Sequence, residues 1–185
     1  TNFHSTPDTA FFVNYLSPVY LTLKSLNQPR LVNLISNFQF FLKNTSKCLL
    51  VGGAHIANHR WVICSALARV NSFFPSPKLV SRIKVWLNEG IDLDPDGQYF
   101  ERSVGSYSHI CNEMFITMGR LLNRRDLLDV ARKNLDMTLY YIQPGGEVFS
   151  DASRRDDSHD IQDVSGYYFS YLYFSHVDKN PVYSA

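Results

Sequence analysis

Apolar residues recur at helical spacing along most of the chain, and the breaks in that rhythm mark its turns. Thr6-Pro7 reads as an N-cap followed by Pro at the first helical position. The helix it opens places Phe11, Phe12, Tyr15, Leu16, Val19, Leu23 and Leu26 on its apolar side, and Pro18 inside that run predicts a kink or break. Asn27-Gln28-Pro29 restarts a helix carrying Leu31, Leu34, Ile35, Phe38, Phe41 and Leu42. Residues 44–55, which contain Gly52-Gly53, read as a connector. The next helix begins near Ile56 and carries Ile63, Leu67, Val70 and Phe74 until Pro75 and Pro77 stop it.

Pro77 opens a short helix with Leu79, Val80, Ile83, Trp86 and Leu87, ended by Gly90. The segment from Ile91 to Arg102 is rich in Asp and has no period. The clearest stripe follows: Val104, Tyr107, Cys111, Met114, Met118, Leu121. Asn123 then caps a helix with Leu127, Leu128, Ala131, Leu135, Thr138 and Ile142, which Pro144-Gly145-Gly146 breaks. A last helix carries Ile161, Val164, Tyr168, Tyr171 and Leu172. About seven helices and no alternating strand run make the chain all-α, a row of antiparallel helical hairpins. Such a row can curl into part of an (α/α) toroid. The polar loops at 52–60, 91–107 and 145–157 recur at about one hairpin's length, which would gather them on one rim.

Composition narrows the functional classes. A chain of 185 residues with 45% hydrophobic and 19% charged residues is a single helical domain over 1–185, not a disordered segment. A net charge of +1 argues against nucleic acid as a partner, and no stretch reads as a membrane span or a signal peptide. The first residue is Thr, which points to a processed or excised piece of a longer protein. Cys48, Cys64 and Cys111 are odd in number and lack CxxC spacing, so free thiols and no metal or other cofactor are expected. Asn44-Thr45-Ser46 fits the glycosylation acceptor pattern.

The chemistry-bearing residues fall at two helix entrances and one loop. Asn58 and His59 lie in a first helical turn, where unpaired backbone N–H groups favour an anion. Asn58 can donate to a carboxylate and His59 can move a proton near neutral pH; equally, Asn58 can be a cap and His59 can pack with Ile63 and Leu67. Tyr107 sits on an apolar stripe, where a core tyrosine is the default, but close to the polar start of its helix. Glu101 and Arg102 form a surface ion pair or a site. Asp151, Arg154 and Arg155 form a solvated loop or a third part of the same rim.

Three segments resemble those of heparinase-like and alginate-type polysaccharide lyases. Gly53 to Trp61, with its Asn-His-Arg-Trp, resembles their Asn-His helix entrance. Asp96-Gly97-Gln98-Tyr99-Phe100-Glu101-Arg102-Ser103, with Tyr107 shortly after, is similar to their Asp-Gly segment leading to a catalytic Tyr. Gly146-Glu147-Val148-Phe149-Ser150-Asp151 resembles a later Gly-Glu loop that ends in Asp. The resemblance implies an (α/α) toroid domain of a larger lyase, acting on an acidic, uronic-acid-containing polysaccharide by β-elimination. It implies Asn58, His59 and Tyr107 as catalytic residues: Asn58 on the uronate carboxylate, His59 in support of it or as base, Tyr107 as the proton carrier. Substrate contacts would come from His55, Arg60, Trp61, Tyr99, Glu101, Arg102, Asp151 and Arg154. A C-terminal β-domain in the full-length protein and a periplasmic or secreted location follow from the same likeness. Two other functions fit the residues: a glycoside hydrolase using Glu101 and Asp151 as acid and base, and a non-catalytic carbohydrate-binding module with aromatic stacking platforms.

Overall fold

The computed structural model describes residues 5–184. It is all-α in character. Seven α-helices and one antiparallel pair of two-residue strands are present among the described residues. Residue contacts divide the chain into two compact units, one up to Gly90 and one from Ile91, where the sequence pattern suggested one domain. No helix among the described residues is long and apolar enough to cross a membrane.

The first unit contains α1 (Thr6–Ser25), α2 (Val32–Val51), α3 (Ala57–Phe73) and α4 (Pro77–Asn88). Ser5, not Thr6, caps α1, its hydroxyl accepting from the Asp8 N–H, and Pro7 and Asp8 occupy the first turn. The break expected at Pro18 does not occur; α1 runs through it. Nor does α1 bury its apolar stripe. Phe12, Tyr15 and Val19 are exposed, while Ala10, Val13, Asn14, Ser17 and Tyr20 are buried. The reason is a hydrogen-bonding hub at the α1–α3 contact. The Asn14 amide donates to the Ala10 and Val62 carbonyls, and its oxygen accepts from Ser65 Oγ and Arg69 Nε. Small side chains around Asn14 allow that close approach, which bulky ones on the same face would prevent.

α2 extends through residues expected to form a connector. Asn44, Thr45 and Ser46 each return a side-chain hydrogen bond to a carbonyl three or four residues back, so polar groups continue the helix. α3 is the core of the unit: every residue from Arg60 to Ala68 is buried, and α1, α2 and α4 all pack on it. α4 starts at Pro77 and adds Leu79, Ile83 and Trp86 to that core. Gly53 leads into α3 against Trp86; a β-carbon there would lie 2.3 Å from the indole.

The second unit contains α5 (Tyr107–Leu121), α6 (Arg125–Thr138), α7 (Tyr168–Asp178) and strands β1 (Glu147–Val148) and β2 (Gln162–Asp163). α5 and α6 pack as a hairpin. α5 buries Cys111, Met114 and Met118 of its stripe, and Phe115 besides, while Tyr107 is half-buried and Leu121 exposed. Val104 is buried too, but lies in the turn before the helix. Asn123 does not cap α6; it takes a left-handed conformation (φ 53°) after α5 ends. α7 starts later than expected, because Ile161 is exposed in a loop and Val164 begins a 3-10 turn. Before α5, the Asp94 carboxylate accepts from the Asp96 and Gln98 N–H groups, and Gly97 turns the chain with φ 100°.

Candidate functional site

In the first unit the expected residues gather at the start of α3. Asn58 is buried and His59 half-buried in its first turn. Arg60 is only 5% exposed; its Nη1 donates to Glu89 Oε2 at 3.3 Å and to the Gly90 carbonyl at 3.4 Å. His55 Nδ1 lies 3.1 Å from the same Glu89 oxygen, with its ring edge-on to Trp86. Glu89 thus gathers two of the expected residues. It escaped notice in the sequence because it sits at the end of α4 like an ordinary surface acid. Trp61 is fully buried beneath the Arg60 guanidinium, 4.7 Å from its ring centre. That position suits packing and leaves no ring face for a sugar.

In the second unit Tyr107 is the first residue of α5 and is half-buried. Its hydroxyl donates to Asp156 Oδ2 at 3.4 Å, and the Arg155 guanidinium lies 4.9 Å from its ring centre. Arg155 also pairs with Glu101, whose side chain is 7% exposed. Partial burial, then the Asp156 charge, push the Tyr107 phenol above its ordinary pKa, so it holds its proton more firmly than a free tyrosine. Arg102 adopts φ 46°, and its carbonyl accepts from the Arg154 N–H at 2.7 Å. The Arg154 side chain is exposed. Asp151, also exposed, pairs with His159 at 3.0 Å.

Tyr99 is a correction. It is 2% exposed, stacks on Phe115 and donates to Asn112 Oδ1 at 2.9 Å, so it is a core residue with no open face for substrate. Burial also pushes its phenol well above the ordinary range. Of the two carboxylates a hydrolase would use, Glu101 pairs with Arg155, and Asp151 lies 3.0 Å from His159 Nδ1. Cys64 and Cys111 are buried free thiols raised by desolvation, unsuited to nucleophilic work; Cys48 is free and exposed.

Sequence inspection picked out Asp151 and Arg154 but missed Asp157. Its carboxylate is 1% exposed and accepts from Ser103 Oγ, the Gly105 N–H and Ser153 Oγ at 3.0, 2.8 and 3.1 Å. No periodicity marks it, and in the sequence Ser150 and Ser153 look like ordinary loop serines, although the structure buries both. Compared with known proteins, the chain matches no family model, no curated protein and no solved structure.

Proposed function

We propose that this protein cleaves a uronic-acid-containing polysaccharide by β-elimination, in the manner of the heparinase-like and alginate-type lyases it resembles. Its helical hairpins would form part of an (α/α) toroid that continues into a β-domain, in a periplasmic or secreted enzyme. The resemblance assigns Asn58 and His59 to binding the uronate carboxylate and stabilising the charge that develops there as the C5 proton leaves. His59 would take that proton as the base. Tyr107 would give its phenolic proton to the departing glycosidic oxygen, and Arg102 would attract the acidic substrate.

The observation that carries this reading is the state of Tyr107. Tyr167, Tyr171 and Tyr183 spend their hydroxyls on the Val104 and Leu135 carbonyls and on Asp136, inside the protein. Tyr107 is only half-buried, opens a helix and holds its proton toward a carboxylate. A phenol so placed can exchange a proton with a ligand; a core phenol cannot.

The test is Tyr107→Phe, which keeps the ring and removes the proton-bearing oxygen. The absorbance of the unsaturated uronate, made only by elimination, is followed over a panel of polyuronides. Elimination should fall by at least ~100-fold with an unchanged melting temperature. Equal activity in the variant, or no chromophore from the wild type on any polyuronide, sinks the proposal. A non-catalytic carbohydrate-binding role draws support from the exposure of Tyr140 (84%) and Phe100 (61%) in the second unit. Polyuronide binding without chromophore would select that role instead.

A further inference from the structure

Four consecutive residues before α5 are each tied to one short segment of the later loop. The Arg102 carbonyl accepts from the Arg154 N–H, Ser103 Oγ donates to Asp157, the Val104 N–H donates to Ser153 Oγ, and the Gly105 N–H donates to Asp157. On either side of them, Glu101 pairs with Arg155, and the Tyr107 hydroxyl donates to Asp156. The segment 153–157 thus touches nearly every position from 101 to 107. Asp157 is its anchor. Its three donors are uncharged, and a buried carboxylate is tolerable only when its oxygens are so supplied. Ser103 passes the hold onward, because its Oγ also accepts from the Tyr107 N–H at 3.1 Å.

Such a dense connection exceeds what helix capping needs. Ser103 alone, through its carbonyl and hydroxyl, already receives the Tyr107 and Ser108 N–H groups. The additional bonds fix where α5 begins, and its first side chain is Tyr107. The charged groups that face the phenol come from the same clasp: Asp156 at its oxygen and Arg155 over its ring, the latter steadied by Glu101. We infer that Asp157 and Asp156 are positioning residues for Tyr107, Asp157 by locking the 102–105 backbone and Asp156 by orienting the phenol and keeping its proton in place. This rests on the lyase reading for its catalytic meaning, but its physical content concerns the phenol alone.

The two can therefore be tested apart. The protein is labelled with ring-¹³C tyrosine, and the Tyr107 signal is assigned by its loss in Tyr107→Phe. Its ionisation is then followed with pH in wild type, Asp156→Asn and Asp157→Asn. Asp156→Asn removes the negative charge beside the phenol, so its ionisation should move to lower pH. Asp157→Asn cannot accept all three donors; the Tyr107 ring should shift toward the signal of an exposed tyrosine. On a polyuronide that the wild type cleaves, both variants should lose ~10-fold or more in kcat while KM changes less than ~3-fold. If Asp157→Asn fails to fold, Ser153→Ala, which removes one bridging hydroxyl, replaces it. A Tyr107 signal and titration unchanged in every folded variant overturns the inference whether or not the protein is a lyase. If the titration shifts and no polyuronide is cleaved, the positioning stands and the lyase reading falls.

Discussion

The two units are held together by different means. In the first, α3 is wrapped by α1, α2 and α4, and its buried run from Arg60 to Ala68 is mostly apolar. The second also buries apolar side chains on α5, α6 and α7, and adds polar ties that join loops to helices. Residues 101–107 are fastened to 153–157, and a relay runs from the Tyr99 hydroxyl through Asn112 and Asn134 to the Gly97 carbonyl. Apolar contact sums over area and tolerates small shifts. A buried polar relay is all or nothing, since each missing partner strands another. The second unit thus fixes its loops by polar ties, while the first rests on packed area.

That contrast can be broken most forcefully at Trp61. Trp61→Ala empties the centre of the first unit and should cost about 3–5 kcal/mol, read as a fall in urea midpoint by far-UV circular dichroism. A cost below ~1 kcal/mol would mean that apolar filling does not hold this unit. Next comes Asn134→Ala, which strands Asn112 Nδ2 and the Gly97 carbonyl. It should cost about 1–3 kcal/mol despite removing little apolar area. If Asn134→Leu, of similar size and equally unable to bond, restores stability, shape rather than polarity holds the second unit.

A smaller effect concerns pH. Burial pushes the His109 imidazole below its ordinary value. The unfolded chain therefore takes up this proton more readily than the folded one, and stability present above about pH 6.5 is lost as pH falls toward the folded value. His109→Gln should narrow the gap in melting temperature between pH 7 and pH 5 by about 1–3 °C. An unchanged gap would show that His109 does not contribute. The smallest effect is expected on the outer stripe of α1: Phe12→Gln should change stability by no more than about ±0.5 kcal/mol. A loss above ~1 kcal/mol would mean that the stripe is covered in solution.

How much was legible follows the same divide. α3, α4 and α5 were readable because a core helix declares itself by period, and Pro77 and Gly90 mark α4 on both sides. α1 misled because its largest residues point outward. The buried face was chosen by Asn14, whose four hydrogen bonds no hydropathy pattern can register. The connector expected at 44–55 begins only at Gly52, since Asn44, Thr45 and Ser46 continue α2 with side-chain hydrogen bonds. At the candidate site, Tyr107 stands out in the sequence by its place at a helix start. Asp156 and Asp157 were not, because their meaning lies in partners about fifty positions away.

Gly97 carries a consequence for mutational scanning. Its backbone passes so close to α6 that a β-carbon would lie 2.4 Å from the Lys133 carbonyl, at a φ that already disfavours side chains. On the lyase reading proposed above, a scan scored by activity alone would rank Gly97 beside Tyr107 as intolerant of change, although it has no group that could react. Temperature separates the two kinds of intolerance. A Gly97→Ala defect acts through the folded fraction, so it should ease in the cold or with a stabilising osmolyte. The missing oxygen of Tyr107→Phe stays missing at every temperature.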